Sequence, residues 1–165
     1  MKILILNVVF TLLITIIPLL VGWAFSVRCL SKENKLIKDK ISNNTDFARA
    51  YHRLSVWYTS TILWTITEYI FVIVPFVSNV IVIYLTNINE AKDNAPVILI
   101  HSIISLSFIV FGFAINPQRH KKCYRRAFTH IDTCINEYLT NPDPNILKMG
   151  IKDGEDFIDP SNDIE

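Results

Sequence analysis

Two apolar runs, from about Ser55 to Thr86 and from Pro96 to Ile115, stand on either side of a nine-residue polar stretch, Asn87 to Ala95. A helix needs about 20 apolar residues, at ~1.5 Å each, to cross a hydrocarbon core of ~30 Å. Each run is long enough, so the pair reads as a helical hairpin in a membrane. A further apolar stretch, Ile3 to Phe25, also qualifies. With 51% hydrophobic residues and 4 glycines in 165 residues, the chain reads as one membrane-embedded domain. The expected fold is an all-α membrane protein with three transmembrane helices, the last two a hairpin extended into the cytoplasm by packed helices.

The first apolar stretch exceeds the roughly 7 to 15 residues of a signal-peptide core. Arg28, Lys32, Lys35 and Lys38 follow it at once, which resists translocation. Residues 1–27 are therefore expected to stay as a span, followed by a basic linker, 28–44, near anionic headgroups.

Charge sets the expected orientation. Seven Lys and Arg fall between Arg28 and Arg53, one between Asn87 and Ala95, and five between Gln118 and Arg126. The positive-inside rule puts the first and last groups in the cytoplasm and the hairpin loop outside. The chain is thus expected in the cell inner membrane, multi-pass, with its N-terminus outside and its C-terminus cytoplasmic. Asn43-Asn44-Thr45 matches a glycosylation acceptor but lies on the wrong side to be used. Cys29, Cys123 and Cys134 show no regular spacing and read as reduced cytoplasmic thiols.

In the first span Asn7, Thr11, Thr15, Pro18 and Gly22 recur at spacings 4, 4, 3 and 4, a small and polar face suited to contact with another helix. Asn44 or Thr45 is a credible N-cap for the second helix. Phe47, Tyr51, Leu54 and Tyr58 then recur at 4, 3 and 4, so that helix begins in the cytoplasm and runs into the membrane, with its span over about 56–86. From about Asp46 to Leu85 it is ~60 Å long, twice the hydrocarbon thickness. Trp57 and Trp64 near its cytoplasmic end and Tyr84 near its outer end read as interface anchors.

The most informative pattern lies inside this helix. Tyr58, Thr61, Thr65, Glu68, Val72, Pro75 and Asn79 alternate at 3 and 4, placing a carboxylate, two threonines and an amide on one face. A charged side chain at mid-membrane costs roughly 3 kcal/mol or more, so Glu68 must be protonated, partnered or facing water. Thr61, Thr65, Glu68 and Asn79 are a pore-lining seam or a helix-packing seam; Thr15 is a depth-compatible partner for Glu68 in the second case.

The third span, 96–115, starts with Pro96 in its first turn, where no donor is lost. His101, Ser105, Phe108 and Gly112 share a face, and His101, near the outer surface, is too far from Glu68 for a proton relay. Asn116 and Pro117 close the span and are expected to serve as N-cap and first residue of an amphipathic helix, 117–139. In it Tyr124, Phe128, Ile131, Ile135 and Tyr138 recur at 4, 3, 4 and 3. That seam is expected on Phe47, Tyr51 and Leu54; lying flat on the inner leaflet is the competing placement. Arg119, Lys121, Lys122, Arg125 and Arg126 form a basic cytoplasmic cluster. His120, Cys123, His130 and Cys134 look like metal ligands, but on a straight helix the ends of the set are ~21 Å apart, so no metal site is expected.

Beyond Asn141 the periodicity is broken by Pro142, Pro144, Gly150, Gly154 and Pro160, and seven acidic residues lie between Asp143 and Glu165. Residues 141–165 read as an acidic flexible tail or docking segment. No phosphate loop, zinc-protease helix, nucleophile elbow or paired-cysteine motif occurs, so neither an enzyme nor a cofactor is expected. A net charge of +1 offers no field for nucleic acid.

The order of parts from Asp46 to Leu139 resembles the SLATT family, two-transmembrane effector domains associated with nucleotide-sensing bacterial conflict systems. The similar features are the entry Phe47-Ala-Arg-Ala-Tyr-His-Arg, the long helix, the short outer loop, Asn116-Pro117-Gln118-Arg119-His120, and the basic helix Tyr124-Arg125-Arg126-Ala127-Phe128. The extra first span departs from the two-helix pattern. The resemblance implies an antiviral membrane effector that forms homo-oligomers in the lipid bilayer and then makes a pore or disrupts the inner membrane, triggered through a separate nucleotide-signalling or sensor protein. A small scaffold, adaptor or immunity protein acting only through helix contacts is the alternative. In a third reading the cytoplasmic helices bind a nucleotide directly at Arg119 to Arg126.

Overall fold

A computed structural model describes residues 41–87 and 94–159. The first span with its polar stripe, the linker up to residue 40 with Cys29, the hairpin loop 88–93 and the last residues 160–165 lie outside the described residues. Those described form helices and short connections, with no strand among them. The main helices are α1, Thr45–Asn87; α2, Ala95–Ile115; α3, Pro117–Thr140; and α4, Pro144–Ile158. They divide between two units, and α1 contributes to both.

The described part of the apolar unit is residues 65–117. Here α1 and α2 pair through Phe71 and Phe108, whose ring centres lie 5.7 Å apart. Gly112 sits against Phe71, where an added Cβ would stand at ordinary contact distance, 3.4 Å. Ser105 is buried and its hydroxyl donates to Asn79 Oδ1 at 3.3 Å. His101 and Ser78 are buried too. His101 is shielded although near the end of its helix, because the same face that carries Ser105 is turned inward. The apolar residues Val72, Phe76, Val80, Leu99, Leu106 and Phe113 are exposed. α1 and α2 supply the stretches long and apolar enough, by length and composition, to cross a membrane.

α2 ends at Asn116, which takes the left-handed conformation (φ 47°, ψ 62°) and returns its backbone N–H to Gly112 O at 3.0 Å. Asn tolerates this conformation better than most residues. Pro117 then starts α3 directly. Asn116 closes the span and Pro117 is the first residue of the next helix, the two positions expected of them.

The polar unit comprises the described residues 41–64 and 118–159. α1 opens on Asn44, whose Oδ1 accepts the N–H groups of Asp46 and Phe47 at 3.0 and 3.1 Å. The core holds Phe47, Ala50 and Trp57 from α1, Ala127, Ile131, Ile135 and Tyr138 from α3, and Leu147 from α4. The apolar seam of α3 thus packs on α1: Phe47 meets Tyr138 and Tyr58 meets Phe128, with ring centres 5.8 and 5.1 Å apart. Trp57, expected as an interface anchor, is a core residue at 2% exposure. Its ring is covered by α4, an element the sequence reading did not anticipate.

α4 corrects the expectation of a flexible tail. Asp143 caps it, accepting the Asn145 N–H at 2.9 Å, and Pro144 fills the first turn. Leu147, Gly150, Ile151, Gly154 and Ile158 fall on one face; Leu147 and both glycines are buried. The glycines let the helix axis approach closely. A Cβ on Gly150 would stand 2.8 Å from the Cβ and Sγ of Cys134, and one on Gly154 would collide with the Trp57 ring. The acidic residues are engaged: Glu155 pairs with Arg53 at 2.7 Å, Asp153 with His130 at 3.3 Å, and Asp46 of α1 with Lys148 at 3.9 Å.

Candidate functional site

The polar positions of α1 have different surroundings. The Thr61 hydroxyl donates to its own helix at Trp57 O, 2.8 Å, which satisfies its proton. Thr65 and Glu68 are half-buried. Asn79 is exposed and accepts from Ser105. Within the apolar unit the seam is therefore partly turned inward and partly presented outward.

The basic cluster of α3 divides as well. Lys122, Arg125 and Arg126 lie on the face opposite the core seam and line an open groove of about 510 Å³ with Thr129, His130, Thr133 and, from α4, Phe157. Arg119 and Lys121 lie outside this lining. The spacing 122, 125, 126, 129, 130, 133 is one helical face. Thr129 and Thr133 donate to Arg125 O and Thr129 O, both at 2.9 Å, so each keeps acceptor capacity only. Phe157 meets the His130 ring edge-on, with centres 5.7 Å apart, and forms the apolar wall. A second recess of about 380 Å³ contains the Arg53 and Glu155 pair, whose charges already satisfy each other.

Cys134, His130 and Asp153 come together without making a nucleophilic triad. Cys134 Sγ lies 3.9 Å from His130 Nε2, and Asp153 Oδ2 lies 3.3 Å from the same nitrogen. A relay needs the base and its orienting carboxylate on different ring nitrogens. Burial, and then the carboxylates of Glu137 and Asp153, also push the Cys134 thiol above its ordinary pKa, the opposite of activation. His120 stacks on Trp64, ring centres 4.4 Å apart. Among the described residues no group of three His, Cys, Asp or Glu side chains could hold a metal ion.

The cations of the groove are legible in the sequence; its wall is not. Phe157 and the pairing of Asp153 depend on α4. The signal that could have revealed α4 is the spacing of Gly150 and Gly154, four residues apart within an apolar face, a pattern that permits close helix contact.

The class defined by these observations is an all-α arrangement of the described residues, with two helices among them long and apolar enough to span a membrane. Against protein-family models, curated proteins and solved structures, the chain shows no match.

Proposed function

We propose that this chain is a membrane effector. Its apolar helices, including the stretch 1–27, cross the inner membrane with the N-terminus outside and the polar unit in the cytoplasm. Copies assemble through the polar face of α1 and open an ion path or otherwise disrupt the bilayer. A nucleotide-derived signal, relayed by a separate partner to the cytoplasmic unit, is the trigger that the SLATT resemblance supplies.

The observation that carries this reading is the uncovered apolar surface of α1 and α2. Core helices of a water-soluble protein bury such residues; here Phe76 is 68% exposed and Phe113 83%. Large contiguous apolar surfaces of this kind suit lipid or other helices. Asn79 lies exposed on the same helix, between Phe76 and Val80, and an amide in that setting favours a contact with another copy or with water. Glu68, between the two ends of α1, is the ionisable group of the seam.

The test is membrane potential, read with a voltage-sensitive dye in bacteria expressing the chain or an equally expressed Glu68→Gln variant. Depolarisation by the wild type that the variant loses supports an ion path at Glu68. Equal depolarisation by both moves the path away from Glu68. No depolarisation when the activating partner is co-expressed overturns the effector reading in favour of a scaffold or immunity protein.

A further inference from the structure

We propose that the groove beside α3 seats the phosphate headgroup of an anionic phospholipid. Lys122, Arg125 and Arg126 project from one face of α3 into the same open space. They form no ion pair or side-chain hydrogen bond with any other described residue. Elsewhere in the polar unit Arg53, Lys148 and His130 each face a carboxylate. Of the acidic residues on α4, Asp153 and Glu155 are directed to His130 and Arg53. None of the lining side chains is acidic.

Cations three and four residues apart on a helix repel one another. A bound phosphate relieves that repulsion. Its oxygens take charge-assisted hydrogen bonds from the guanidinium groups of Arg125 and Arg126 and from the Lys122 ammonium. Glycerol hydroxyls of a headgroup can donate to the Thr129 and Thr133 oxygens, and its carbons lie against Phe157. The volume of about 510 Å³ is in the range of small-ligand sites.

Chain connectivity favours lipid as the source of that phosphate. Only Asn116 separates α2 from α3, and along α3 Lys122 is ~8 Å and Arg126 ~14 Å beyond Pro117 at ~1.5 Å per residue. Whatever direction α3 takes, the cations stay within reach of the headgroups at the end of α2. This placement rests on the proposal that α2 spans the membrane.

The full chain is purified in detergent and given an equimolar mixture of dioleoylphosphatidylglycerol and dioleoylphosphatidylcholine, with bound lipid counted by native mass spectrometry. Each cation near an anionic surface favours binding about fivefold, so three give roughly a hundredfold preference for the anionic lipid. The variant Lys122→Gln/Arg125→Gln/Arg126→Gln, altered only at exposed positions, is expected to lose most of that preference while retaining its helical circular dichroism. The variant Arg119→Gln, outside the groove, is expected to keep it. Equal preference in wild type and triple variant overturns the inference. Displacement of the lipid by millimolar inorganic phosphate or glycerol phosphate assigns the site to a soluble phosphate and overturns the lipid source. In parallel, the chain is reconstituted into phosphatidylcholine nanodiscs. Failure to enter them defeats the membrane reading, whereas entry without anionic preference defeats the groove alone.

Discussion

The side-chain amide of Asn44 donates to the Tyr138 hydroxyl at 2.7 Å, while its oxygen caps α1. One side chain thereby ties the start of α1 to the far end of α3. The two functions can be separated chemically. Tyr138→Phe removes the tyrosine hydroxyl and keeps the cap, whereas Asn44→Ala removes both interactions. The expected losses of unfolding free energy are about 1 kcal/mol for Tyr138→Phe, from the tyrosine bond, and about 2 kcal/mol for Asn44→Ala. Denaturant unfolding of the full chain in detergent, followed at the polar unit by tyrosine and tryptophan fluorescence, measures both. No loss in Tyr138→Phe would show that the Tyr138 contact contributes nothing, and equal losses in the two variants would show that the cap contributes nothing.

Gly154 leaves no room for a Cβ beside Trp57. Gly154→Ala gains helix propensity of about 1 kcal/mol but forces overpacking that costs typically 1 to 3 kcal/mol. The net outcome is expected to be a loss, read as a lower melting temperature. Adding Trp57→Leu should remove the clash, so the double variant is expected to be more stable than the sum of the single losses predicts. Strict additivity would separate Gly154 from Trp57.

The raised pKa of Cys134 has a definite sign for stability. The unfolded thiol loses its proton near pH 8.5 while the folded one still holds it. Above that pH the unfolded state binds fewer protons, so stability falls as pH rises toward the folded pKa. Cys134→Ser or Cys134→Ala is expected to flatten the fall above about pH 8.5. In native protein the thiol is also expected to alkylate more slowly than a free cysteine, because both its proton and its burial withhold the thiolate. Peptide mapping after timed iodoacetamide exposure reads that rate.

Arg53 and Glu155 are close, at 2.7 Å, yet their side chains are 43% and 49% exposed. Such an ion pair is screened by water and salt. A double-mutant cycle with Arg53→Gln and Glu155→Gln is expected to give a coupling of about 0.5 kcal/mol, smaller still at high ionic strength. A coupling near 2 kcal/mol would mean that the pair, rather than the Gly150 and Gly154 contacts, fastens α4.

The extent of the helices followed from local chemistry. The long apolar runs, Asn44 before Asp46, and the 3-and-4 spacing of Phe47, Tyr51, Leu54, Ile131, Ile135 and Tyr138 each act over a turn or two, and periodicity reports such interactions directly. The cation face of α3 was legible for the same reason. The fate of Trp57 was not: whether an aromatic residue anchors at an interface or fills a core depends on what reaches it from elsewhere in the chain. That was α4, hidden because Gly150 and Gly154 weaken helix propensity locally while allowing the tertiary contact that offsets the loss. Asn116 likewise satisfies local rules as a cap for either helix, and its backbone geometry was decided by the need to end α2 and begin α3 at a single residue. The sequence by itself determined the extent of α1, α2 and α3 and where their charges lie. Tertiary structure decided which of those charges are paired and which are left facing the groove, because pairing depends on distances between residues far apart in the chain.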